Sequence, residues 1–267
     1  IILNEDTGEP GNTVFCFPPI YGYASVYKSL ASRMKDHTFY SFNFIDGEDK
    51  IKRYADTVSE LQPEGPLTFF GWSAGGQLSL HVARELEKRG RDVSDIIMFD
   101  THLLPEIPNI QDYYELTKDE LDETNEFIKE RKRFIKEMGV QYLEDEIFQR
   151  IRSYLKFIMK LDAPRVNSDI HMVTALEHAQ YIDVPLWESM TRKSFSVYEG
   201  FGKHVEMLFD GVIDRNAEIL KNVVAVRAER ENLHTSSVQR IWNRNASRAV
   251  FRQYNHDQSR QQDRKAS

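Results

Sequence analysis

Residues 67–89 read LTFFGWSAGGQLSLHVARELEKR. The apolar run Leu67 to Trp72 suits a buried strand. From Gln77 to Arg89, Leu78, Val82, Ala83 and Leu86 share one helical face, and Gly90 marks a helix stop. Between the two lies Gly71-Trp72-Ser73-Ala74-Gly75, a G-x-S-x-G pentad. Alone, such a pentad arises by chance. With a strand running in and a helix running out it reads as a nucleophile elbow, a turn so sharp that its flanking residues must be small, presenting the serine hydroxyl above the sheet edge.

Outward from the elbow, further strand-length runs appear: TVFCF (13–17), TFYSFNF (38–44), DIIMFD (95–100), DIHMVTALE (169–177) and SFSVYEG (194–200). Helical patterns separate them. One runs from Tyr23 to Met34, with Val26, Leu30 and Met34 on one face. Another closes the pattern from Asp214 to about Glu229. Strands alternating with helices imply βαβ units and a mostly parallel sheet, an α/β fold. The alternation lapses between 101 and 164. There a Pro-containing loop leads to a helix expected to start at Thr117, whose spacing to Glu120 is that of a capping box. Its acidic start and its basic run Lys129 to Lys136 suit the helix dipole, and the basic run reads as a solvated face. A second helix is expected over about 143–161. The pair reads as a helical insertion over the sheet.

The composition bounds what such a fold can do. The chain has 267 residues, 40% hydrophobic and 29% charged, with a formal net charge of −7 and one cysteine. One cysteine excludes an intramolecular disulfide framework, and no Cys/His spacing suggests a structural metal, so no metal site is expected. An acidic balance argues against nucleic-acid binding. The apolar stretches are too short for a membrane span, and no signal segment opens the chain, so a cytoplasmic protein is expected. The chain does not begin with Met, which fits a piece of a longer polypeptide. Residues 1–12 are polar and Gly/Pro-punctuated and read as an irregular entry. Residues 232–267 lose apolar periodicity and carry arginines at 240, 244, 248, 252, 260 and 264. They read as a basic, weakly structured tail, either a docking arm or a segment without function. The expected division is one catalytic domain over 1–231, with an insertion at about 101–164, followed by the tail. Cys16, in the first core strand, reads as a small buried hydrophobe.

A serine at its ordinary pKa needs a base, and the base needs an acid to orient it. In α/β-hydrolases the chain order is Ser, acid, His. Of eight histidines, His204 alone follows the last strand in a loop, Gly200-Phe201-Gly202-Lys203-His204. His102 and His178, just past strand ends, are set aside on that ground. Asp100 and Glu177 both end strands and both are candidate acids. Asp100 is preferred because it closes an uninterrupted apolar strand and would be held rigidly. The oxyanion donors should be the N–H of Ala74, after the nucleophile, and one from the loop after the first strand. Pro18 and Pro19 have no N–H, which leaves Ile20, with Tyr21 as fallback.

The pieces FCFPPIYGY, YADTVSELQPEGPLTFFGWSAGG, DIIMFD and GFGKHVEML resemble the C-terminal (type I) thioesterase domain of nonribosomal peptide synthetases, of the Bacillus surfactin and fengycin lipopeptide type. The resemblance spans about residues 11 to 229. It implies an α/β-hydrolase fold with a helical lid, Ser73 as the acylated nucleophile, His204 as base and Asp100 as acid, and Ile20 and Ala74 as oxyanion donors. It also implies a peptidyl or lipopeptidyl substrate on the phosphopantetheine arm of an upstream carrier domain, no bound cofactor, and release by macrocyclisation through an acyl-serine. The alternative is a hydrolytic editing thioesterase or esterase of the same fold, although GWSAGG differs from the GHSMG elbow of free-standing editing enzymes. An inactive α/β module that only binds a carrier domain or acyl chain is disfavoured, because nucleophile, base, acid and oxyanion loop occur in order. Pro19, Tyr21 and Trp72, with the insertion aromatics Tyr113, Tyr114, Phe127, Phe134, Tyr154 and Phe157, are candidates to line the substrate cavity. For any one insertion aromatic, packing of the lid helices is the default reading.

Overall fold

A computed structural model describes residues 1–4, 13–103, 114–118, 121–122, 124–137, 139 and 141–234. Six strands form one sheet: β1 (Thr13–Phe17), β2 (Thr38–Ser41), β3 (Leu67–Trp72), β4 (Val93–Phe99), β5 (Asp169–Thr174) and β6 (Phe195–Glu199). Their order is β2-β1-β3-β4-β5-β6, and every pairing is parallel. The fold is thus the expected α/β arrangement. All six residues of β3 are buried, as a strand covered on both faces by crossover helices requires. The chain steps from β1 out to β2 and returns to the other side of β1, so strand order reverses between β1 and β3. In open parallel sheets that reversal opens a crevice at the carboxyl ends of the strands. The loops after β1 and β3, residues 18–23 and the elbow, flank it.

The helices are α1 (Lys28–Ala31), α2 (Lys50–Leu61), α3 (Ala74–Lys88), α4 (Glu126–Glu137), α5 (Glu144–Ile158), α6 (Val184–Ser189) and α7 (Ile213–His234). The helix expected over 23–34 is shorter, a 3₁₀ turn at Ala24–Tyr27 followed by α1. Tyr27 fixes that segment, since its hydroxyl donates to the Phe17 carbonyl (2.5 Å) and accepts from the Trp72 N–H (3.1 Å). The strand expected over 38–44 ends at Ser41. Beyond it the Phe44 N–H turns to the Gly22 carbonyl and the Ile45 N–H to the Tyr54 hydroxyl. Residues 1–3, expected to be irregular, pair antiparallel with β2 through Ile2 and Tyr40, and so satisfy part of an otherwise open strand edge.

The capping box expected at Thr117 involves Glu120, which lies outside the described residues; the Thr117 hydroxyl donates to the Tyr114 carbonyl and closes a local turn. Helix α4 begins later, where the Asn125 side chain accepts the Ile128 N–H. Helices α4 and α5 share a small core of their own: Ile128, Ile135, Ile147, Phe148, Ile151 and Leu155, closed by Tyr21 from the loop after β1. Among the described residues no helix is long and apolar enough to cross a membrane. The chain divides into two compact units, Ile1–Leu220 and Lys221–Ser267. Within the second, the described residues 221–234 are helical. The expected tail, 232–267, lies almost wholly outside the described residues.

Candidate active site

Ser73 joins β3 to α3 with φ 57° and ψ −127°, a conformation that a non-glycine residue adopts only under restraint. The restraints are explicit. The Ser73 N–H donates to the Phe99 carbonyl (2.8 Å), and its carbonyl accepts the Gly76 N–H (3.0 Å) and the Thr101 hydroxyl (2.9 Å). The flanking glycines are steric necessities. A Cβ on Gly71 would meet the Gly75 carbonyl carbon at 2.3 Å, and one on Gly75 would meet the Phe17 carbonyl oxygen at 2.3 Å. The G-x-S-x-G spacing is therefore what lets β3, α3 and the end of β1 approach this closely.

Asp100 directly follows β4, is fully buried, and is the other described non-glycine residue with positive φ (45°). Its N–H donates to the Val173 carbonyl (2.8 Å), and its Oδ1 accepts the Ala175 N–H (2.8 Å). These two bonds tie it to the end of β5 and leave Oδ2 facing outward. There the His204 Nδ1 lies at 2.6 Å and the His178 Nδ1 at 2.5 Å. A third imidazole stands near Oδ1, with the His102 Nε2 at 3.5 Å. Burial alone would raise the Asp100 pKa. The nearby His102 ring and the hydrogen bonds from His178 and His204 outweigh it and hold the carboxyl well below the usual carboxylate range. The His178 pKa is raised by its hydrogen bond to Asp100, against the opposing effect of its partial burial.

His204 opens a 3₁₀ turn, His204–Glu206. Glu177, the competing acid, does not reach the imidazole. Its Oε1 accepts the backbone N–H of His204 at 3.1 Å, so one carboxylate faces the ring and the other the main chain. The Trp72 ring lies 5.5 Å from that of His204, and its indole N–H is buried with no partner among the described residues.

The Gly22 N–H donates to the Pro19 carbonyl (2.7 Å), turning the loop after β1. Among the described residues, the N–H groups of Ile20 and Ala74 donate no hydrogen bond. Tyr154 from α5 is fully buried. Its hydroxyl lies 2.8 Å from the Pro18 carbonyl and 3.3 Å from the Ala74 carbonyl. It braces the two segments that carry Ile20 and Ala74. The Phe44 ring stacks on it at 4.1 Å, and the Lys50 ammonium sits 4.2 Å over the Phe157 ring. Pro19 is buried beside the elbow loop, and Tyr21 packs in the small core of α4 and α5. Tyr114 is exposed. Tyr113 and the side chains of Phe127 and Phe134 lie outside the described residues.

Asp100, His178 and His204 are also the described residues able to hold a metal ion together, their ligand atoms lying within 4.8 Å of one another. The two Nδ1–Oδ2 separations are hydrogen-bond lengths. Two ligands of one tetrahedral zinc would stand roughly 3.3 Å apart. Protons fit this geometry better than a metal does. The His178 and His102 contacts were not anticipated from sequence. Their one linear signal was position, each lying just past a strand that ends at the sheet's carboxyl edge.

The family model described as Thioesterase domain matches residues 12–223. Among curated proteins, surfactin synthase subunit 3 of Bacillus subtilis is 34% identical over 82% of this chain, and bacitracin synthase 3 of Bacillus licheniformis 31% over 81%. The matched part is 17% of the first and 3% of the second, so the chain spans a small fraction of those relatives' length. Among solved structures, the thioesterase domain that cyclises the lipopeptide antibiotic surfactin is 31% identical, with 80% of this chain and 90% of that one covered and a TM-score of 0.62. A dodecadepsipeptide-bound Vlm2 thioesterase domain, at 18% identity and a TM-score of 0.66 over 83% of this chain and 96% of that one, shares the fold.

Proposed function

The chain belongs to the thioesterase domain family, and we propose that it releases a peptidyl or lipopeptidyl chain from a carrier-domain phosphopantetheine thioester by macrocyclisation. Ser73 is the nucleophile, His204 the base and Asp100 its acid. The observation that carries this reading is the Asp100 Oδ2 to His204 Nδ1 bond of 2.6 Å at the carboxyl edge of the sheet, beside a serine held at φ 57°.

An ionised carboxylate only accepts hydrogen bonds, so the bond puts the His204 proton on Nδ1 and leaves Nε2 as the acceptor. Nε2 takes the Ser73 proton as Oγ attacks the thioester carbon. The carbon–sulfur bond breaks, and the thiolate takes that proton and leaves as the arm's thiol. Asp100 stabilises the imidazolium without taking its proton. The Ile20 and Ala74 amides face the oxyanion, and one such donor accounts for on the order of 10²–10³ in kcat. A hydroxyl, phenol or amine of the same peptide then attacks the acyl-serine, giving its proton to Nε2, and Ser73 is restored. Cyclisation competes with water through effective molarity, which reaches about 10⁵–10⁸ M for well-oriented chains. Pro19, Tyr21, Trp72 and Phe157, with Tyr113 and Phe134, are the proposed walls of the peptide's site, and Tyr154 its brace. The similarity to the domain that cyclises surfactin supports this choice of substrate and outcome. The upstream carrier domain is the proposed partner. Residues 1–231 are proposed as one catalytic unit, with 101–164 as its lid and 232–267 as a tail.

Hydrolysis is the second reading, favoured by the side chain of His204, which is 22% exposed and so open to water. A peptidyl thioester mimic with an internal nucleophile decides between them by product mass. Macrocyclisation gives a product one water lighter than the linear acid. Linear acid alone, across several such peptides, would establish the hydrolytic reading.

A further inference from the structure

The Asp100 oxygen that faces His204 is shared. Oδ2 receives both His178 Nδ1 (2.5 Å) and His204 Nδ1 (2.6 Å), while Oδ1 is occupied by the Ala175 N–H. The two rings are 5.7 Å apart, centroid to centroid. A reaction of this type needs one imidazole on its acid, and the second is unexplained. We propose that His178 is a positioning residue for the Asp100–His204 pair: as a neutral N–H donor it steadies the carboxylate for His204, and as an imidazolium it withdraws that carboxylate's charge from His204. The proposal rests on the assignment of His204 as the base.

The physical argument is electrostatic. Asp100 supports catalysis because its negative charge favours the imidazolium that forms on His204. When His178 is itself protonated, the carboxylate already faces one cation, and a second must form beside it. At a protein-like effective dielectric, like charges at this separation disfavour the second protonation on the order of a hundredfold. The His178 side chain is 24% exposed, so solvent and salt reduce this to about tenfold.

His178 is set to be protonated in the acid range. The groups facing it are Asp100, His204, His102 in a perpendicular ring contact at 4.9 Å, the Tyr181 ring at 6.3 Å, and the Glu177 carboxylate 4.0 Å from its Nε2. Its pKa is raised chiefly by the Asp100 hydrogen bond, with the charges of Asp100 and Glu177 adding to it and burial opposing. As pH falls, therefore, the proton taken up by His178 weakens the acid behind His204.

The test is the rate at which a fluorophosphonate probe labels Ser73, followed by intact mass from about pH 5 to about pH 9. It is run on the whole chain and on His178→Asn, His178→Ala and His204→Ala, with thermal melts confirming that each is folded. The expected wild-type acid limb carries a separate partial loss of about tenfold where His178 takes its proton, because like charges spread the protonations apart. His178→Asn keeps a neutral donor where Nδ1 stood. It should lack that step, fall with a slope of about one, and label about tenfold faster where the wild type has lost it. His178→Ala should also lack the step, but label more slowly on the alkaline plateau, where the lost donor is felt. A folded His178→Asn protein with the wild-type acid limb overturns the proposal, while a silent His204→Ala leaves the triad standing. No labelling of the wild type at any pH, or a His204→Ala protein that labels like it, overturns the triad assignment and this inference with it.

Discussion

Two carboxylate–imidazole pairs sit on neighbouring strands, and they have opposite prospects. Asp95 and His171 face each other near the start of β4 and β5, with Nε2 to Oδ1 at 3.1 Å and the Tyr198 hydroxyl 3.3 Å from Nδ1. Asp100 and His204 meet past the carboxyl ends of the same sheet. The chemical groups are the same. His171 is a mid-strand residue, paired in register between Ile97 and Ser196. It is buried and both its ring nitrogens are occupied by side chains of the sheet. His204 is on a loop, with its Nδ1 fixed by Asp100 and its ring beside the elbow. A carboxylate orients a histidine in both places. Only at the edge does the histidine keep, among the described residues, a ring nitrogen without a hydrogen bond, and there it lies beside the proposed nucleophile. On the proposed reading, position in the sheet, rather than the pair itself, separates a packing device from a reactive one.

The sharpest way to break this comparison is to remove the proposed nucleophile. Ser73→Ala should abolish fluorophosphonate labelling and lower thioester turnover by on the order of 10⁶, as loss of a catalytic serine does elsewhere. Persisting labelling at wild-type rate would dissociate the edge pair from any reaction. Next is the acid. Asp100→Asn should lower kcat by about 10⁴, while Asp95→Asn leaves kcat within about threefold and instead lowers stability by about 1–3 kcal/mol. Steady-state kinetics and urea unfolding on both variants decide this, and equal kinetic losses would erase the distinction. Glu177→Gln should cost far less than Asp100→Asn, about tenfold or under, because a neutral amide oxygen still accepts the His204 N–H. A reversed ranking would make Glu177 the acid.

A smaller effect is read in stability against pH. The folded-state pKa of Asp100 is depressed. Its contribution is therefore complete above the unfolded carboxylate pKa, about 4, and is lost as pH falls below it. Asp100→Asn should flatten the acid-side decline of unfolding free energy over that window. An unchanged slope there would mean that the three imidazoles do not hold the charge. The smallest effect expected is for Tyr154→Phe, which leaves the Pro18 carbonyl without its donor. It should cost about 1 kcal/mol of stability, together with a modest fall in kcat and little change in KM. A change confined to KM would instead place the hydroxyl at the substrate.

Six strands, the elbow and the mostly parallel class were legible because parallel strands buried on both faces read as unbroken apolar runs, as in Phe69, Phe70, Ile96 and Ile97. The order of the strands within the sheet was not, since alternation along the chain leaves it open. Helix boundaries in the insertion were also less legible. The helix expected to start at Thr117 is α4, which spans Glu126–Glu137, while the Thr117 hydroxyl donates to the Tyr114 carbonyl in a local turn. Such local side-chain to backbone bonds do not show in spacing.

The sequence by itself determined the sheet, the sharp turn at Gly71 to Gly75, and the presence of carboxylates and histidines past the strand ends. Tertiary structure alone decided how those groups divide. Asp100 directly follows β4 and Glu177 lies just past the neighbouring β5, and the two look alike in the chain, yet one meets a ring and the other a backbone N–H. His178 lies close in sequence to Glu177 and far from Asp100, and it is Asp100 that it meets at 2.5 Å. The reason is physical. Sequence periodicity fixes which edge of the sheet a residue reaches, because burial enforces it. Which oxygen a nitrogen finds there depends on a few ångströms of loop path, set by contacts such as Asp100 N–H to Val173 that join residues 73 positions apart.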